Sequence, residues 1–153
     1  MRSIAQTVLI LVLVVAAAPP MVAQSSGPVT SVGVILGEPT GLAARQWVGG
    51  GVGFDAALAW SFRDPGSIYA HVDYQQHFES IPVEVGRLLL FAGIGAKIYL
   101  STEVVIGARV PLGVFYEFED APFELFFELA PGLNFFPTLE PDAGGGLGIL
   151  YRL

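Results

Sequence analysis

From residue 30 onward, hydrophobic and polar residues alternate with a period of two, the signature of half-buried β-strands; no helical period of comparable length survives. The alternation divides into eight segments: Thr30–Gly37, Gly41–Val48, Val52–Phe62, Ser67–Phe78, Arg87–Leu100, Glu103–Phe118, Phe123–Phe136 and Ala143–Leu153. Glu38-Pro39-Thr40-Gly41 puts proline second and glycine fourth, as a type I turn prefers, Arg63-Asp64-Pro65-Gly66 has similar ingredients, and Gly49-Gly50-Gly51 and Ser101-Thr102-Glu103 read as tight connections. The joins Glu79–Gly86, Glu119–Pro122 and Pro137–Asp142 are longer and hold prolines or acids that disfavour continued pairing. An unbroken run of strands predicts an all-β fold, an eight-stranded antiparallel up-and-down barrel.

Alternation alone permits a soluble barrel with an apolar inside or a membrane barrel with an apolar outside, so the contents of each face must decide. In Ser67–Phe78 one face is Ile68, Ala70, Val72 and Tyr74, and the other is Tyr69, His71, Asp73, Gln75 and His77. In Glu103–Phe118 every second residue from Val104 to Phe118 is apolar, while the opposite face mixes Gly107, Arg109, Gly113 and Glu117. Phe123–Phe136 repeats this division, with Phe123, Leu125, Phe127 and Leu129 set against Glu124, Glu128, Gly132 and Asn134. Glycine beside charge is informative. A residue without a side chain is useful where Arg, Tyr and Phe crowd a narrow lumen, and it has no comparable use on a solvated exterior. The charged face is therefore predicted to point inward and the apolar face to meet lipid. The longer segments exceed the ~9–11 residues needed to cross a bilayer at a tilt. Aromatic residues at apolar-face strand ends, among them Trp60, Tyr116, Phe123 and Tyr151, suit interfacial girdles.

Composition agrees with a membrane class: the 153-residue chain is 53% hydrophobic and only 14% charged. The apolar run Thr7 to Ala18, behind Arg2 and ahead of Pro19-Pro20, is too short for a spanning helix, which needs roughly 20 residues. It reads as the core of a secretory signal peptide spanning residues 1–23, with cleavage after Ala23. A short tail, residues 24–29, then leads to a barrel domain over residues 30–153. Loss of the leader leaves six Lys or Arg against fourteen Asp or Glu, an acidic balance that argues against a nucleic-acid partner. No cysteine is present, so neither a disulfide nor a lipidated N-terminal cysteine is expected.

Inward parity assigns Arg45, Lys97, Arg109 and Arg152 to the lumen together with Asp55, Asp73, Glu117, Glu124 and Glu128. Charge in such a place is tolerated only when paired, so these nine residues are expected to form a structural, mutually neutralising network. A gated ion path or a proton-sensitive switch at His71 is the sharper alternative, and a lumen filled by side chains disfavours it. Glu124 and Glu128 lie four apart on one strand, near ~13 Å, too far for a glycosidase pair. His77 and Ser80 are the one loosely suggestive nucleophile and base, and they give little reason to expect an enzyme. His71 and His77, six apart with no cysteine nearby, make a poor metal set. Neither catalytic residues nor a cofactor are expected.

The segments Gly33-Val34-Ile35-Leu36-Gly37-Glu38-Pro39-Thr40-Gly41-Leu42, Gly107-Ala108-Arg109-Val110-Pro111-Leu112-Gly113 and Pro122-Phe123-Glu124-Leu125-Phe126-Phe127-Glu128-Leu129-Ala130-Pro131 resemble an uncharacterised family of small bacterial outer-membrane barrels similar to the transmembrane domain of OmpA. The resemblance covers nearly the whole chain after the leader and implies fold and location, with no ligand or catalytic residue to carry over. The last strand, where Leu147, Ile149, Tyr151 and Leu153 alternate with Gly148, Leu150 and Arg152, also resembles the C-terminal segment read by the barrel-assembly machinery, with Leu153 in place of the usual Phe. The expectation is thus a monomeric barrel in the bacterial outer membrane, with lipid and the assembly machinery as partners and a structural or surface-interaction role. A soluble, secreted calycin-like carrier of an apolar ligand would need the opposite parity, and an outer-membrane lipid-modifying enzyme would need a competent site at His77. In the barrel, an N-terminus in the periplasm would put the long Glu79–Gly86 join on the same side, although such barrels usually have their longer loops outside.

Overall fold

The computed structural model describes residues 28–38, 40–60 and 66–153, and among these all side chains but those of Glu38, Glu79 and Ser80. The predicted signal peptide over residues 1–23, residues 24–27 of the predicted tail, Pro39 and most of the Arg63-Asp64-Pro65-Gly66 turn lie outside the described residues.

Period-two patterning becomes nine strands: β1 (Val29–Glu38), β2 (Thr40–Gly49), β3 (Val52–Trp60), β4 (Ile68–Val83), β5 (Gly86–Leu100), β6 (Val104–Arg109), β7 (Leu112–Phe118), β8 (Phe123–Phe136) and β9 (Glu140–Arg152). All pairings are antiparallel, and β1 pairs with β9 to close the ring. β6 and β7 both run between β5 and β8 and act as one physical strand, so the ring has eight staves. The interruption falls at Val110-Pro111, level with Pro131 on β8. Two prolines on adjacent staves remove two N–H donors from the ladder at one height. Pairing is kept by Gly93 N–H donating to the Pro111 carbonyl and Val110 N–H donating to that of Pro131, each at 2.8 Å.

Stepping from Val29 through its register partners Trp47, Gly53, Gln75 and Gly93, and on round the barrel, returns the path to β1 beside Glu38, roughly ten residues higher. Such a stagger means tilted strands and a narrow interior. Val72 is 61% exposed while its neighbour Asp73 is fully buried, and the same alternation runs through β2, β3 and β8. Large apolar residues including Leu36, Leu42, Leu58 and Phe127 stand on the outside, and charge is inside.

Two of the expected joins are strands. β4 does not end at Phe78: after a bulge between His77 and Glu79 it pairs with β5 down to Val83↔Gly86, leaving Glu84-Val85 as a two-residue turn. β3 stops opposite Gln76, so beyond it β4 has a neighbour on one side only, an edge position where Pro82 is tolerated. Among the described residues no long loop therefore occupies that end of the barrel. β9 likewise begins at Glu140, with Pro141 and Asp142 opposite Leu133 and Gly132.

Candidate functional site: the lumen

The inward side chains form two zones. Toward the end that holds Val29 and Arg152, the cross-section is filled by Trp47, Leu89, Phe91, Phe115, Phe126 and Leu150, all buried. Trp47 stacks on Phe115 with ring centroids 5.4 Å apart, and His77 packs against both. Glycines make room for this: a Cβ at Gly53 would strike the Trp47 ring, and one at Gly148 would strike Phe126. Arg45 rises among these rings. Its Cζ lies 4.9 Å from the Phe126 centroid and 5.2–5.6 Å from those of Phe91, Phe115 and Trp47, an aromatic cage that favours a cation.

Beyond the aromatic zone, charge is concentrated on the wall built by β3, β4, β6 and β8. Arg45 Nε donates to Asp55 at 3.2 Å. Arg109 is the hub: its guanidinium donates to Glu128, to the Tyr69 hydroxyl at 2.9 Å and to His71 Nδ1 at 2.8 Å, and its Nε stands 3.4 Å from Asp73. An arginine can only donate, so Nδ1 of His71 accepts and the imidazole proton sits on Nε2. That nitrogen faces Asp55 at 3.2 Å and Asp73 at 3.6 Å.

Asp55, His71 and Asp73 bring three ligand atoms within 4.8 Å of one another, close enough to hold a cation. Proton accounting opposes that use. Metal on Nε2 would force the proton to Nδ1, where it would face the Arg109 donor. The triad is chemically suited to an ion-pair network.

Of the nine residues assigned to the lumen from sequence, Arg45, Asp55, Asp73, Lys97, Arg109, Glu117, Glu124 and Glu128 are buried, and Arg152 is half-buried at the rim. They do not pair only among themselves. Lys97 bonds to Asp142, Glu117 accepts from Arg87 at 2.6 Å, and Glu124 accepts from Ser31 at 2.8 Å. Arg152 donates to the backbone carbonyls of Phe118 and Ala121, pinning the β7–β8 turn. Asp142 and Arg87 lie on the inward parity of their strands, a signal obscured at Asp142 by treating Pro137–Asp142 as a loop. Ser31 and Tyr69 carry no charge pattern that would single them out. His77 points into the aromatic zone; Ser80 stands opposite Leu89 in register, across the bulge. At the mouth near the chain ends, a cavity of about 400 Å³ lies between Arg87, Glu117, Glu119 and Arg152.

No protein-family profile and no curated protein matches the chain. Among solved structures it is similar to the crystal structure of the N-terminal β-barrel domain of Pseudomonas aeruginosa OprF, with a TM-score of 0.59 over 85% of this chain and 100% of that one, at 15% identity. The chain has the fold of that barrel domain.

Proposed function

We propose that this protein is an integral outer-membrane barrel with a closed lumen and a structural or surface-interaction role, not a pore or an enzyme. One observation carries the reading: side chains are arranged inside out relative to a soluble globule, with Arg109, Asp73 and Glu128 buried at the centre while residues such as Leu36, Leu58 and Val72 project outward. An apolar exterior of this extent is stable against lipid tails and costly against water. The similarity to the OprF barrel supports the same location. In this reading the barrel-assembly machinery inserts the chain, and it works as a monomer.

A soluble carrier of an apolar ligand is disfavoured because the interior is already occupied by its own rings, with Phe115 wholly buried. A lipid-modifying activity at His77 is disfavoured because that imidazole is clamped against Trp47 and Phe115, inside the wall. The test is fractionation of cells expressing the full chain. The expected result is recovery in the outer-membrane fraction, resistance to urea extraction, and faster gel migration before heating than after. Recovery as a soluble periplasmic protein would overturn the proposal.

A further inference from the structure

The outward apolar band has unequal height round the barrel. On β5, every second residue from Leu88 to Leu100 is Leu, Ile or Ala, and from Val104 to Phe118 the outward positions of β6 and β7 are all apolar. At ~3.3 Å per residue and a tilt near 40°, the β5 run covers about 30 Å along the barrel axis, a full hydrocarbon thickness. The opposite side is different. β1 offers only Val32, Val34 and Leu36, below which comes Thr30, paired in register with the exposed Gln46 of β2. On β2 the outward polar positions Thr40 and Gln46 bracket just Leu42 and Ala44, and past Gln46 only Val48 precedes the turn. The upper part of β9 adds Ala143 and Gly145, with no large apolar side chain outward until Leu147. Between polar positions, the β1 and β2 side spans about 15–20 Å by the same geometry.

Tilting the barrel moves both bands but does not equalise their heights. A bilayer of uniform thickness would therefore bury Gln46 in hydrocarbon, where its amide has no partner, together with Thr40, whose hydroxyl is already bonded to the Gly37 N–H and carbonyl. Lipid deforms more cheaply than an unpaired amide desolvates. The geometry points to a thinned bilayer along the β9–β1–β2 face: the partner of this surface is a shell of shortened or disordered acyl chains, with water reaching Thr40 and Gln46. This inference rests on the membrane reading above and adds to it a lipid-perturbing surface at the seam where the barrel closes.

The chain has no cysteine, so single-cysteine labelling is available. Nitroxides at T40C and Q46C on this face, and at L90C and I98C on β5, would be compared in dioleoylphosphatidylcholine vesicles by collision with oxygen and with a water-soluble nickel chelate. Heat-shift electrophoresis verifies folding of each. The expected result is nickel collision at positions 40 and 46 several-fold above that at 90 and 98. Hydrocarbon signatures at all four positions overturn the thinning and leave the membrane reading standing; water signatures at 90 and 98 as well overturn both. Spin–spin broadening between labels at position 46 would show a second copy covering the face, which also overturns it. A label-free comparison backs this up: the double variant Thr40→Leu/Gln46→Leu should shift folding several-fold from dilauroyl toward dioleoyl phosphatidylcholine vesicles, and an unchanged preference counts against the inference.

Discussion

Arg109 holds together more of the interior than any other side chain described here, touching Glu128, Tyr69, His71 and Asp73. Removing it strands two buried carboxylates, Asp73 and Glu128. Arg109→Ala is expected to lower stability by ~3–5 kcal/mol, read as a shift of the urea midpoint for unfolding from lipid vesicles. Arg109→Lys should recover only part of that loss, because a single ammonium cannot reproduce a planar fork that reaches both the imidazole and the carboxylates. A change no larger than that of Arg152→Ala at the rim would refute this ranking. Gly95 makes a steric counterpart. A Cβ there would meet the Asp73 carboxylate and the Val72 carbonyl, so Gly95→Val should sharply reduce the fraction that folds, as seen in the heat-shift gel.

Residues of this kind were legible in the sequence to different degrees. Parity placed Arg45, Asp73 and Arg109 inside because a period of two leaves no freedom over which face a residue takes. Their partners were harder to read, since pairing depends on which staves are neighbours and on stagger, and neither is written in any one segment. Lys97 therefore meets Asp142, which belongs to a strand start hidden by Pro141.

At the scale of the element, the same limit explains the join that is a strand. A proline such as Pro82 ordinarily interrupts pairing, yet the end of β4 lacks a neighbour on its β3 side, where a proline is tolerated. One-sided pairing has a dynamic consequence. Backbone amides of residues 79–81 and 83 should exchange with solvent deuterium much faster than those of residues 70–74, which are flanked by strands on both sides. Equal protection along β4 would mean that something covers this edge. The short β4–β5 turn at Glu84-Val85 also removes the difficulty of a long loop at the end of the barrel that holds Val29 and Arg152.

For the whole molecule, the aromatic zone decides whether anything passes. Trp47, Phe91, Phe115 and Phe126 pack around Arg45, and the proposed closed lumen rests on that packing. In planar bilayers the intact chain is expected to give no stable conductance steps, whereas the variant Trp47→Ala/Phe115→Ala should open them; steps of equal size from both proteins would contradict a closed lumen. The exterior makes a complementary statement, because one arginine placed mid-band at Val72 should cost ~2–4 kcal/mol in lipid.

The chain carries its own reporters of which face is which, since its two tryptophans take opposite sides of the wall: Trp47 is buried in the lumen and Trp60 stands half exposed on the exterior. The most direct test of an inside-out barrel is fluorescence of the single-tryptophan variants Trp47→Phe and Trp60→Phe, folded into vesicles containing brominated lipid. Strong quenching of Trp60 with Trp47 left bright is the result expected of an apolar exterior in contact with acyl chains. Quenching of Trp47 in preference to Trp60, or of neither, would contradict it.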